Sequence, residues 1–89
     1  TIGDFEGTVM VEGHTDNLPI RTAQFPSNWE LSTARAVSVV KYFTEKVSVE
    51  AEKFSAVGYG ATKPKVSNDT LINRKKNRRV EIILVPQII

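Results

Sequence analysis

Hydrophobic and polar positions follow different rhythms along the chain, and each rhythm predicts an element. Thr8 to Glu12 (T-V-M-V-E) sets Val9 and Val11 on one face of a first strand, which Gly13 ends. From Asn28 to Lys46 the period lengthens: at about 100° per residue, Trp29, Ala36, Val40, Phe43 and Val47 share a stripe, with Ser38, Lys41 and Glu45 opposite. This predicts a helix laid on a core. Ser27 followed by Glu30 reads as its capping box, the Ser hydroxyl meeting a first-turn N–H and the Glu side chain reaching back to the cap's own N–H. Phe54 to Gly60 predicts a second strand, so strand, helix and strand make a right-handed βαβ unit. Asp69 to Asn77 predicts a short helix capped by Asn68 or Asp69 and anchored by Leu71 and Ile72. Arg79 to Val85 alternates Val80, Ile82 and Leu84 against Arg79, Glu81 and Ile83, a third strand stopped by Pro86.

Between these elements lie the segments without a period. Thr1 to Gly7 reads as a lead-in or a short edge strand. His14 to Pro26 carries Pro19, Pro26, Asp16 and Asn17 and reads as a loop, long enough to invite a function. Ala61 to Asn68, with Pro64, is a second loop. The result is a single α+β domain over residues 1–89, a mixed β-sheet with helices packed on one face.

Composition narrows the chemistry more than the fold. Eighty-nine residues, 40% hydrophobic and 25% charged, suit one folded unit. With no cysteine and one histidine, a disulfide framework, a thiol nucleophile and a metal centre all lack their ligands, and no cofactor is called for. The net charge of +2 hides an uneven distribution: Arg74, Lys75, Lys76, Arg78 and Arg79 are close together, while Asp4, Glu6, Glu12 and Asp16 make the opening acidic. The longest apolar run, Ile82 to Pro86, is far too short to span a bilayer.

The first strand runs into E-G-H-T-D-N, which sets Asp16 just past its C-terminal end, the end where βαβ units collect ligands. Arg35 stands two turns into the following helix, at the border of the apolar stripe, where its stem can lie on apolar surface and its fork stay free. The two can form an ordinary strand-to-helix salt bridge. They can instead hold opposite poles of a zwitterion, Asp16 accepting from an ammonium and Arg35 gripping a carboxylate, with backbone N–H groups near Leu31 and Ser32 completing the shell. The residues alone leave both uses open, the salt bridge being the commoner.

Four separated blocks, H-T-D-N, N-W-E-L-S-T-A-R-A, G-Y-G-A-T-K-P and N-R-x-x-N-R-R-V-E-I, resemble the OmpA-like peptidoglycan-binding family from Val11 to Leu84. The insert P-I-R-T-A-Q-F-P-S and Trp29 within N-W-E-L-S look most like its branch of flagellar motor stator B subunits. The resemblance implies that Asp16 and Arg35 hold the diaminopimelate moiety of the peptidoglycan stem peptide. Thr15, Asn28, Leu31 and Ser32 would shape the pocket and Arg78 would sit near the ligand. It also implies a last strand lying between the first two and antiparallel to both. Beyond the chain, it implies a transmembrane helix upstream, a homodimer, a stator A subunit as partner, and a place on the extracytoplasmic side of the membrane.

The remaining conspicuous residues read more plainly. His14 suits structural hydrogen bonding. Trp29 suits packing on the core side of the first turn, with sugar stacking at a pocket rim as the alternative. Tyr59 fills a gap at the end of the second strand, and the glycines around it suit tight turning. The basic block at 74–79 suggests a rival reading as a small nucleic-acid-binding domain, against which the strands offer no stacking aromatic. Catalysis would need a second carboxylate or a nucleophile with a base near Asp16, and neither is in reach by sequence, so an enzyme is not expected.

Overall fold

The computed structural model describes residues 1–88, so residue 89 of the expected domain lies outside the described residues. The elements run β1 (Gly7–His14), α1 (Asn28–Glu45), β2 (Phe54–Gly58), α2 (Leu71–Asn77) and β3 (Arg79–Pro86), with single 3-10 turns at Ile2–Asp4 and Ala51–Lys53. The α+β class and the mixed sheet are as expected. The lead-in is a 3-10 turn rather than an edge strand, and Ile2 and Phe5 pack against the core.

The sheet order is β2-β1-β3, with β1 parallel to β2 and antiparallel to β3. This corrects the strand order implied by the resemblance: the last strand lies outside the first two and is antiparallel to β1 alone. Helix α1 carries the chain from β1 to the next position in the same sheet, a connection that brings the two parallel strands side by side. That leaves the other edge of β1 to β3.

Helix α1 starts where Ser27, extended at φ −153°, accepts from Trp29 N at 3.2 Å and donates to the Glu30 carboxylate. The cap therefore forms, but Glu30 takes the Ser27 hydroxyl instead of the Ser27 N–H. Ser32 and Ala36 are the buried residues of the helix, Val39 and Val40 pack beside them, and Phe43 stacks on Phe54 at 5.7 Å between centroids. Trp29 does not join this stripe. It is 53% exposed, because Ser32, one turn on, faces the sheet while Trp29 points sideways past its end. Val47 lies beyond the helix and is also exposed, in a turn that Ser48 makes with φ +60°.

The fully buried apolar core is small, Val9, Val11 and Ala36. Its closeness depends on two glycines paired in register, Gly13 on β1 and Gly58 on β2. A Cβ on Gly13 would stand 1.9 Å from the Ser32 carbonyl oxygen, and one on Gly58 would stand 2.0 Å from Thr33 Oγ1. Here the helix backbone lies directly on the sheet. Because α1 covers β1 and β2, the inward residues Ile82 and Leu84 of β3 stay 42% and 47% exposed.

Helix α2 is held by a residue that periodicity does not reveal. Its N-cap is Thr70, accepting from Asn73 N at 3.1 Å, while Leu71 and Ile72, the expected anchors, are 57% and 69% exposed. A seven-residue helix shows its partner too little surface to be fixed by an apolar stripe. Asn77 does the fixing. It is fully buried, its Oδ1 accepts from Lys65 N and Val66 N at 2.8 and 3.0 Å, and its Nδ2 donates to Val66 O and Asn68 Oδ1 at 2.9 and 2.8 Å. The loop after β2 is thereby tied to the last turn before β3.

On the sheet face away from α1, Glu12 stands directly opposite Glu81 across β1 and β3, and His14 opposite Arg79. Like charges in register repel. Arg79, whose Nε donates to Glu81, relieves the pair, and His14 Nε2 lies between the two carboxylates at 3.2 Å from Glu12 and 3.9 Å from Glu81. His14 is 1% exposed and stacks on Tyr59 at 5.3 Å, so both serve the structural roles expected of them. The Arg79 guanidinium holds the Glu81 carboxyl below the ordinary carboxylate range, against the opposing effect of partial burial.

Three outcomes follow for stability in urea. Gly13→Ala is expected to cost at least about 1–3 kcal/mol, since the backbone atom it meets cannot rotate away. Asn77→Ala is expected to cost about 1–3 kcal/mol by stranding its buried partners. Glu81 has a depressed folded pKa, so its contribution is present above the unfolded carboxylate range and disappears as pH falls through the lowered value. Glu81→Gln should therefore be less stable than the parent at neutral pH, with a urea midpoint gap that closes as pH falls through the lowered Glu81 value; a gap independent of pH would contradict the charge assignment.

Candidate functional site

The site begins where β1 releases the chain. Thr15 N still donates to Gly60 O at 2.9 Å, extending the ladder to β2 by one more bond, and then the backbone turns at Asp16. Asp16 stabilises that turn with its own side chain, Oδ1 accepting from Leu18 N at 3.1 Å. Thr15 Oγ1 donates to the Asp16 carbonyl at 2.8 Å. Asn28, first residue of α1, donates through Nδ2 to Asp16 O at 3.4 Å and Leu18 O at 3.0 Å, so the loop is fastened to the start of the helix. Thr15 and Asp16 are 3% and 5% exposed, and the long loop is closely held at its root.

A cavity of about 230 Å³ opens at this point, lined by Thr15, Asp16, Asn28, Leu31, Arg35 and Arg78 together with Leu18, Pro19 and Ile20. Six of the seven residues expected at the site are brought together here. Ser32 is the exception. It is fully buried behind the wall, where its Oγ accepts from Gly60 N at 2.9 Å and donates to Trp29 O at 3.1 Å.

The charges around the cavity are unevenly satisfied. Arg78 Nη1 stands 3.5 Å from Asp16 Oδ2, an ion pair longer than the ~2.7–2.9 Å of a charge-assisted hydrogen bond, and the Arg78 side chain is 37% exposed. Among the described residues Arg35 makes no ion pair and no side-chain hydrogen bond, and it does not pair with Asp16. Two guanidinium groups thus flank one carboxylate on the wall of a single opening. The simple strand-to-helix salt bridge is not formed. What the geometry offers is a cation-accepting oxygen, Asp16 Oδ2, and an anion-gripping fork, Arg35, on the wall of one cavity, with Leu31 one turn away lending apolar wall.

The basic block that motivated a nucleic-acid reading is dispersed among separate tasks. Arg79 donates to Glu81, Asn77 O and Lys63 O, and Arg74 donates to Asn68 O. Arg78 turns to the cavity. The face of the sheet carries Glu12 and Glu81 at its centre, which repel phosphate. Among its lining residues the cavity has one carboxylate, Asp16, and one hydroxyl, that of Thr15, which donates to the Asp16 carbonyl rather than to a base.

Sequence reasoning missed Asn77, which fixes the segment that presents Arg78; its only signal was an amide between charged residues at a helix end. It also mislaid Trp29, which lies outside the cavity and lines a neighbouring groove.

Comparison with known proteins agrees with this architecture. The OmpA family matches residues 5–78 of the chain. Motility protein B of Bacillus subtilis (strain 168) is 47% identical over 79 residues, 89% of this chain and 30% of that protein. The uncharacterized protein YtxE of the same organism is 53% identical over 76 residues, 85% of this chain and 31% of that protein. The chain thus spans under a third of the length of these two relatives. Among solved structures, the C-terminal domain of Helicobacter pylori MotB superposes with a TM-score of 0.88 at 35% identity, covering 98% of this chain and 67% of that one. The cell wall anchor of the T6SS from Pseudomonas aeruginosa gives 0.84 at 41% identity, covering 93% and 57%. With a sheet and helices that superpose on these structures and a family match across most of its length, the chain belongs to the OmpA family, in the form found in motility protein B.

Proposed function

We propose that the chain is a non-catalytic peptidoglycan-binding module that grips the diaminopimelate of the stem peptide. Asp16 takes the ammonium, Arg35 the carboxylate, and Thr15, Asn28, Leu31 and Arg78 shape the opening. Ser32 acts from behind by fixing the first turns of α1. The observation that carries this reading is the cavity wall shared by Asp16 and Arg35 without a bond between them, with Arg35 unpaired among the described residues. A zwitterionic amino-acid head satisfies both at once. Arg78, at 3.5 Å from Asp16, is held loosely enough to yield its place to an ammonium.

The likeness to motility protein B and to a structure described as a cell wall anchor supports an anchoring role. In this reading the domain ties an ion-driven flagellar stator to the wall, on the extracytoplasmic side of the membrane. It works as a homodimer whose membrane-spanning part meets the stator A subunit.

The test is co-sedimentation with purified sacculi. Loss of one charge-assisted contact should weaken binding by about 10- to 150-fold, so Asp16→Asn and Arg35→Ala are expected to leave the protein in the supernatant with its melting transition retained. Arg35→Lys, which keeps the charge and loses the fork, should fall between. Undiminished sedimentation of both Asp16→Asn and Arg35→Ala would refute the reading.

A further inference from the structure

The indole of Trp29 is 53% exposed although it sits in the first turn of the central helix. It separates two surface concavities. One, of about 480 Å³, is lined by Asn17, Arg21, Asn28 and Thr62 as well as Trp29 and Gly60; the other, of about 510 Å³, lies on the Gln24 and Phe25 side. The first is continuous with the candidate site, since Pro19, Ile20 and Asn28 line both. Its floor is Gly60, left-handed at φ +59°, where a Cβ would stand 3.4 Å from the indole.

We infer that this groove is a saccharide subsite, in which Trp29 stacks on a sugar ring of the glycan strand that carries the gripped stem peptide. The inference rests on the peptidoglycan reading above and extends it from peptide to glycan. A sugar presents an apolar C–H face and a rim of hydroxyl and N-acetyl groups. The groove presents an exposed aromatic plane with the amides of Asn17 and Asn28 and the hydroxyls of Ser27 and Thr62 around it, and Arg21 is its one charged residue. Neutral polar partners around an aromatic suit a neutral polyol better than an ion.

The spacing agrees. Trp29 precedes Arg35 by six residues on one helix, about 9 Å along its axis at ~1.5 Å per residue. In the stem peptide two residues separate diaminopimelate from the lactyl-bearing sugar, about 7 Å of extended chain at ~3.3–3.6 Å each, before the lactyl link is added. The two residues lie about 120° apart around the helix at ~100° per residue, so the path from Arg35 to Trp29 runs over the wall of Pro19, Ile20 and Asn28 that the two openings share.

Trp29 is the sole tryptophan, so tryptophan fluorescence reports on the surroundings of this one indole. The chain is titrated with a disaccharide-tetrapeptide and with the same tetrapeptide stripped of its sugars, affinities being taken by calorimetry. The disaccharide-tetrapeptide should perturb Trp29 emission and bind about 3- to 10-fold more tightly than the bare peptide, which should bind without that change. Trp29→Ala should bring the two ligands to equal affinity and leave the bare peptide unaffected. Trp29→Phe, which keeps an aromatic ring against Gly60, should retain part of the difference. Equal affinities in the parent, an emission change with the bare peptide, or the same loss for both ligands in Trp29→Ala would overturn the subsite while leaving the peptide-binding reading intact. Failure of the parent to bind either ligand would overturn both.

Discussion

The structure depends on one close approach, the first turns of α1 against β1 and β2 at Gly13 and Gly58. A side chain at either position would have to occupy space already filled by Ser32 or Thr33. With the gap closed, Ser32 reaches Gly60 N, and the end of β2, the end of β1 and the start of the helix become one rigid corner. Everything proposed about ligands takes place at that corner. A helix held a few ångströms higher would carry Arg35 away from Asp16 and open the seam between them.

From this corner the charge pattern acquires meaning. Asp16 is placed by backbone and fastened by Leu18 N and Asn28, so its carboxylate is presented in a fixed direction. Arg35 is placed by helix geometry and Arg78 by the Asn77 network that ends α2. Three segments thus deliver three charges to one opening of about 230 Å³, and among the described residues the ion pair they form is that of Asp16 with Arg78, at 3.5 Å. Pre-organised charges of opposite sign on one wall favour a ligand that carries both signs.

Much of this was legible from residues, and the exceptions share a cause. The strands, the long helix, its Ser27 cap and the placing of Asp16 and Arg35 near one another followed from local rhythm and from the rule that ligands collect at the C-terminal ends of β-strands in βαβ units. What failed depended on tertiary context. Trp29 shares a helical phase with Ala36, but the sheet ends before it, so periodicity assigned to the core a residue that the fold leaves at the rim. Leu71 and Ile72 looked like anchors because they were the only apolar residues of α2, whereas a short helix beside a loop is held by the four hydrogen bonds of Asn77. The position of β3 came from a resemblance, and the crossover geometry puts that strand on the outer side of β1.

The central claim is that Asp16 and Arg35 hold the two poles of one amino acid. A crystal of the chain soaked with diaminopimelate tests it most directly. The account predicts density in the cavity with an ammonium about 2.7–2.9 Å from Asp16 Oδ2, a carboxylate against the Arg35 fork, and Arg78 drawn away from the acid. Diaminopimelate bound elsewhere on the surface, or a cavity in which Asp16 and Arg35 close on each other and admit nothing, would contradict it.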